Sequence, residues 1–338
     1  MEQPIRNTFE NWYIEALKSL LGGVNKDDRT GTGTISTTFM SHKYDLRDGY
    51  PTMYSRFLKP ENPAKEMIWM LSGSKNVKDL QALGVPFWNA FADESGDLGP
   101  IYGYLWRNWP NPDGSVTDQI KYVQEALKSN PSSRRMVVSC WNPSFIPDPK
   151  RPPKENYKFG HSSLTACHYA WQVVCQPMTI MERVQHAVTS FSLPDEFVDN
   201  PIKLITHPNG DVILDQANIP RYFLDLKFDM RSNDFVLGNP ANWGMYAFLA
   251  ELLAFENNMV ARYLCYGGMD VHVYQNHLLG VQQQLNYFEA NKEHVLAQRT
   301  DIIFNKGTTL DNVTPESFKF IGYAREVAGP AIKFPIAV

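Results

Sequence analysis

The chain reads as an α+β protein. Apolar residues at helical spacing and runs of β-prone residues both occur along its 338 residues, yet the two kinds of segment do not alternate regularly, as a parallel α/β fold would require. No stretch has the composition of a linker. One α+β domain spanning residues 1–338, with additions near residues 143–163 and 176–222, is the expected organisation.

The first expected helix covers residues 9–21, where Phe9, Trp12, Tyr13, Ala16, Leu17 and Leu20 share one face. Others are expected over residues 63–71, 118–127 and, strongly apolar, 242–255. Strands are expected over residues 136–141 and 167–175, and over 224–230, where Leu224, Leu226, Phe228 and Met230 alternate with Asp225, Lys227 and Asp229. Residues 143–163 carry five prolines and several charges, the composition of a surface loop. Within residues 176–222, Thr206 to Asp211 read ThrHisProAsnGlyAsp, a hairpin-like signal.

Hydrophobic residues at 43% and charged residues at 20% exclude a disordered chain. The longest apolar stretches, such as residues 245–253, fall short of the roughly 20 residues that cross a bilayer, and no basic-then-apolar segment opens the chain, so a cytoplasmic protein without a membrane partner is expected. Cys140, Cys167, Cys175 and Cys265 have neither CxxC spacing nor the density of a disulfide scaffold; reduced thiols are expected, three of them in the core. A net charge of -4 argues against nucleic acid as a partner but permits a basic pocket for one phosphate. His272 and His277 are five apart without partner ligands, so no metal is expected.

The most informative segment, LTACHYAWQVV, sets Cys167 beside His168 at the start of an apolar strand. A cysteine in such a place is by itself most simply a packed thiol. To act as a nucleophile it needs neighbours that favour the thiolate, since a free thiol titrates near about 8.5. Candidate cations lie in DRTGTGT (residues 28–34), SSRRMVV (132–138) and MRSND (230–234). Together Arg29, Arg134, Arg135 and Arg231 would make a guanidinium cage for a dianionic phosphate, and such a cage would lower the thiol's pKa.

At this point the order of segments resembles thymidylate synthases from Asp28 to Val338. The matching segments are DDRTGTGT, KEMIWML, FADESGDLGPIYGYLWRNW, SSRRMVVSCWNP, ACH, RSND, LGNPAN, DVHVYQNH and FPIAV. The resemblance implies that family's fold: a mixed β-sheet packed with helices, one sheet face forming the interface of a homodimer. It also implies dUMP as substrate and 5,10-methylenetetrahydrofolate as cosubstrate. Cys167 matches the nucleophile that adds to carbon 6 of the pyrimidine. Glu66 matches a buried carboxylate that organises waters near ring oxygen 4, and Tyr102 a tyrosine that helps remove the carbon-5 proton. Arg29, Arg231 and Ser232 match phosphate ligands from the same chain; Arg134 and Arg135 match the pair given by the other subunit. Asn242 matches the amide that reads the uracil edge, His272 and Tyr274 match the grip on the sugar 3'-hydroxyl, and His168 is placed with the substrate ligands. On the folate side stand Trp88, which borders the reacting methylene, Asp234, a pterin contact, and Leu164, Gly238, Arg56 and Val338.

This sequence departs from the methylating family around the transferred carbon. YSRF at residues 54–57 stands for the usual TTKR, Ala166 for proline, Met230 for glutamine, Asn89 for aspartate, and Asn239 and Ala241 for a bulkier pair. Phage hydroxymethylases that act on deoxycytidylate also carry MRSND and a similar HVY segment, but read cytosine with an aspartate where Asn242 stands here. A hydroxymethylase making 5-hydroxymethyl-dUMP is therefore the expectation, with thymidylate synthase as the alternative and a binding relative without catalysis as a third.

Overall fold

The structure is a computed structural model that describes residues 6–28 and 31–336. Arg29 and Val338 lie outside the described residues. Among those described, seven strands form one mixed sheet. Its order is β1 (Val24–Lys26), β2 (Thr34–Asp45), β9 (Val260–Tyr274), β7 (Tyr222–Met230), β6 (His168–Pro177), β5 (Val137–Ser139), with β8 (Asn233–Asp234) also paired to β9. β7 and β8 run parallel to β9, while the other pairings are antiparallel. Two hairpins stand apart, β3 (Trp109–Pro110) with β4 (Val116–Thr117) and β10 (Asp301–Phe304) with β11 (Phe318–Ile321).

The expected helices are present as α1 (Thr8–Leu20), α2 (Glu61–Leu71), α5 (Gln119–Ser129) and α9 (Gly238–Glu256). Asn7 caps α1 by accepting from the Glu10 N–H, and Phe9, Tyr13, Ile14, Leu17 and Leu20 bury its apolar face. Asp118 caps α5 through the Lys121 N–H. α9 is buried nearly all round because it lies between the sheet and α2, which is why its sequence is apolar without a polar stripe. The remaining helices are α3 (Val77–Ala82), α4 (Tyr102–Arg107), α6 (Ile180–Thr189), α7 (Ile202–Thr206), α8 (Gly210–Gln216), α10 (Leu278–Ala290) and α11 (Lys292–Ala297). None is long and apolar enough to cross a membrane.

The hairpin-like signal at Thr206 to Asp211 is corrected by the structure: it joins α7 to α8. Gly210 is there for close packing, since a Cβ on it would come within 2.3 Å of the Leu204 carbonyl oxygen. Helices α6 to α8 enclose a small core of their own, made by Val184, Ala187, Phe197, Leu204, Leu214 and Ile219. Residues 143–163 are mostly irregular, with two 3-10 turns.

The other face of the sheet, opposite α9, carries exposed apolar side chains at Phe39, Val137 and Met269. No described element of this chain covers them.

Candidate active site

Cys167 sits just before β6, at the edge of a register irregularity between His168 and Ala170. Such a bulge re-aims the end of a strand. Arg231 follows β7 directly, and its backbone N–H donates to the Cys167 carbonyl at 2.9 Å, so the β6–β7 pairing itself sets the arginine against the cysteine. The Arg231 guanidinium then donates to the carbonyls of Ala166 (2.9 Å) and Thr165 (3.0 Å), with Nη2 4.0 Å from the Cys167 Sγ.

On the other side of the thiol stands Tyr102, whose hydroxyl accepts the Cys167 N–H at 2.9 Å. Tyr102 opens α4 at φ 30°, in the left-handed region that a tyrosine rarely adopts, and strain of this kind concentrates at functional sites. The next residue must be glycine: a Cβ on Gly103 would lie 1.9 Å from the Met70 carbonyl oxygen of α2. That close approach brings α4 against the helix that carries Glu66. The Trp88 indole N–H donates to Glu66 Oε1 at 2.7 Å, and the Trp88 ring meets Tyr102 edge-on at 5.5 Å. Tyr102 also stacks on His168 (4.1 Å, 16°), whose Nδ1 shares a proton with the Tyr246 hydroxyl at 2.8 Å.

A second group forms where β8 lies beside β9. The register pairs Asp234 with His272, and the Phe235 N–H donates to the His272 carbonyl at 2.8 Å. Asp234 Oδ1 accepts the N–H groups of Val236 and Leu237, turning the chain into α9 at Gly238. Asn242, in the first turns of α9, donates to the Met230 Sδ at 3.4 Å. Tyr274 meets the His272 ring at 4.9 Å, and Ser232 lies half-buried in the turn after Arg231. Arg56 is 4% exposed; its Nη2 donates to the Val236 carbonyl and its guanidinium lies 5.0 Å from the Phe334 ring centre. Leu164 is half-buried against the main core.

Arg134 and Arg135 stand apart from this constellation. Both are exposed, just before β5, with no ion pair among the described residues. Of the expected guanidinium cage, Arg231 is the member that the described part of this chain places beside the thiol, and its charge acts in the expected direction. Burial pushes the Cys167 pKa up, and Arg231 opposes the rise without reversing it.

Burial also raises Glu66 to about 7, although the Trp88 N–H pulls the other way. Tyr102 is driven well above the ordinary phenol range, so it stays protonated at neutral pH. His168 falls to about 3 through burial and is neutral. The site thus offers a half-buried thiol, one cation beside it, a neutral imidazole and a carboxyl group able to hold or release a proton near neutrality. Among the described residues no group of three or more His, Cys, Asp or Glu is placed to hold a metal.

Two residues of this site were given no site role by the sequence reading. Tyr246 is hidden in the apolar run of α9. His277 is fully buried, with Nε2 donating to the Pro335 carbonyl at 2.7 Å and Nδ1 3.9 Å from Asp234. The HVYQNH segment contained the only hint of the latter.

Comparison with known proteins places nearly the whole chain in one family. The family profile described as thymidylate synthase matches residues 11–338. A thymidylate synthase of Pseudomonas fluorescens (strain SBW25) is 30% identical over 96% of this chain and 99% of its own length. One from Francisella philomiragia subsp. philomiragia is 32% identical over the same shares. With a profile match over nearly the whole chain and full-length relatives at this identity, the chain belongs to the thymidylate synthase family, whose members are folate-dependent one-carbon transferases.

Proposed function

We propose that the protein transfers a one-carbon unit to carbon 5 of dUMP and releases it as 5-hydroxymethyl-dUMP. The Cys167 sulfur bonds to carbon 6, which makes carbon 5 nucleophilic; after transfer, loss of the carbon-5 proton breaks the bond to the folate nitrogen, tetrahydrofolate leaves, and water adds to the exocyclic methylene as the thiolate departs. Methylenetetrahydrofolate supplies the carbon.

The residues that match the family's motifs take the corresponding roles, and the chemistry of each suits its part. Arg231 and Ser232, with Arg29, bind the phosphate, and the anion they hold sits beside a thiol whose ionisation Arg231 already favours. Asn242 reads uracil because an amide both gives and accepts hydrogen bonds. Glu66 holds a proton near ring oxygen 4, and Tyr102 passes the carbon-5 proton through water. His272 and Tyr274 grip the sugar, with His168 packed beneath the Tyr102 ring. On the folate side Asp234 fits a pterin: the Val236 and Leu237 N–H groups both donate to Oδ1, and Oδ2 is the oxygen that would accept pterin N–H groups. Trp88, Leu164, Gly238, Arg56 and Val338 complete that wall.

One observation carries the hydroxymethyl outcome. A cavity of about 20 Å³ is lined among others by Tyr102, Asn142, Thr165 and Ala166, the last two being the residues that lead into Cys167. That is room for one water, which needs about 10–15 Å³ by this measure, and the lining offers polar partners. Ala166 stands where the methylating family has proline. Hydride transfer requires water to be kept from the methylene, so room for a water next to the segment that carries the nucleophile supports hydration.

Thymidylate synthesis is the second reading. It is favoured by the intact Trp88–Glu66 pair and by the names of the relatives. Incubation with dUMP and methylenetetrahydrofolate separates the two. Mass spectrometry is expected to find 5-hydroxymethyl-dUMP with no dihydrofolate absorbance; a stoichiometric absorbance rise with dTMP would give the reaction to the second reading.

A twofold partner across the uncovered sheet face would bring Arg134 and Arg135 to the phosphate of the neighbouring site. Mixing Cys167→Ala with Arg134→Ala/Arg135→Ala subunits tests this arrangement: activity should reappear in the mixture. Two inactive parents giving an inactive mixture would remove it.

A further inference from the structure

Glu10 lies on α1, immediately before the residues matched by the family profile, and nothing above gives it a role. It is fully buried. Oε2 accepts the Tyr54 N–H at 2.7 Å and the Asn7 Nδ2 at 3.1 Å, while Oε1 accepts the Ser55 N–H at 2.6 Å. Two oxygens thus take two successive backbone N–H groups, a task a carboxylate performs and an amide, with one acceptor oxygen, does not.

The segment held in this way is pinned from its other edge by the end of the chain. Gly329 N–H donates to the Tyr54 carbonyl (2.8 Å) and Phe57 N–H to the Pro330 carbonyl (3.0 Å). Contact is so close that a Cβ on Gly329 would lie 2.5 Å from the Ser55 carbonyl oxygen. Between these clamps sits Arg56, joined to the Val236 carbonyl, and hence to the turn that Asp234 caps, and lying over Phe334. Arg56 Nε has no partner among the described residues; burial raises the nearby Glu10 to about 7, and its bonds from Ser55 and Tyr54 together with the Arg56 charge act the other way, toward the carboxylate.

We propose that Glu10 is a positioning residue for the cosubstrate side of the site: it fixes the backbone of Tyr54 and Ser55, and thereby sets Arg56 and the seat of residues 334–336. This rests on the reading that folate binds against Arg56, Asp234 and the chain end. Because the nucleotide is held by other elements, the effect should divide between the two substrates.

The test is Glu10→Gln, which keeps volume but removes one acceptor and the charge. KM for methylenetetrahydrofolate should rise about 10-fold while KM for dUMP stays within about twofold, as expected for loss of one charge-assisted bond. Amide exchange at Tyr54, Ser55 and Phe57 in the free protein should quicken by a similar factor. Ser55→Ala, which removes the hydroxyl that accepts from Gln284 at 2.8 Å, should act in the same direction more weakly and serves if Glu10→Gln does not fold. Equal changes in both KM values, or unchanged exchange over residues 54–57, would overturn the proposal. The exchange measurement needs no turnover, so it still decides the matter if dUMP and folate prove not to be the substrates.

Discussion

The indole N–H of Trp88 and the carboxyl of Glu66 are joined at 2.7 Å inside the protein, and that bond is the one influence acting against the burial that raises Glu66 to about 7. Trp88→Phe keeps a ring against Tyr102 and removes only the donor. The Glu66 pKa then moves further up, so the limb of the pH–kcat profile that reports its ionisation should shift to higher pH, with kcat at neutral pH down about 10-fold. A profile identical to that of the parent protein would remove Glu66 from the proton path.

Arg231 is the described cation closest to the nucleophile, and its charge lowers a thiol pKa that burial raises. Arg231→Gln should therefore slow alkylation of Cys167 by iodoacetamide at neutral pH, and the difference should shrink as pH rises and the thiolate forms in both proteins. Cys167→Ala should abolish turnover while leaving dUMP binding within a fewfold. Retained turnover in that variant would end the covalent mechanism.

Glu66 also leaves a mark on stability. Its folded pKa of about 7 lies above the ordinary 4.5, so the folded chain holds this proton more tightly than the unfolded chain. The group favours folding at acid pH, and that contribution is lost as pH rises from about 4.5 to about 7. Glu66→Gln removes the loss. The urea midpoint of the variant relative to the parent should thus climb between about pH 5 and 7 and level off above. Glu10 and Glu251, also raised by burial, are common to both proteins and largely cancel in the difference.

Much of the fold was legible because α1, α2, α5 and α9 bury faces or whole surfaces that leave a clear apolar pattern. The two longest strands, β2 and β9, were not. β2 carries Thr, Ser, His and Lys through its middle, and β9 is interrupted by Gly267 and Gly268, which have no side chain to mark a face. In the structure Gly268 leaves room for the Tyr266 hydroxyl, which would lie 1.8 Å from a Cβ there. Asn-Gly at residues 209–210 misled for a similar reason: the glycine answers a tertiary contact and not a local turn. At the site, Cys167, Glu66, Tyr102, Arg231 and Asp234 were visible in short motifs. The roles of Tyr246 and His277 were not, because their partners are 78 and 58 residues away.

The small core of α6 to α8 hangs on one buried cation. Arg183 is 2% exposed and donates to the carboxylates of Asp211 (2.5 Å) and Asp215 (2.7 Å) and to the carbonyls of Ile219 (3.1 Å) and Pro220 (3.1 Å). Arg183→Met fills the space but leaves the Ile219 and Pro220 carbonyls without this donor, while Asp215 keeps Arg221 and Asp211 is open to solvent, a loss on the order of 2 kcal/mol. Because these helices pack around their own six residues, the damage should stay local. Hydrogen exchange is expected to quicken over residues 180–216 while β6, β7 and β9 keep their protection and turnover falls less than about threefold. Loss of protection throughout the sheet would mean instead that this subdomain supports the whole fold.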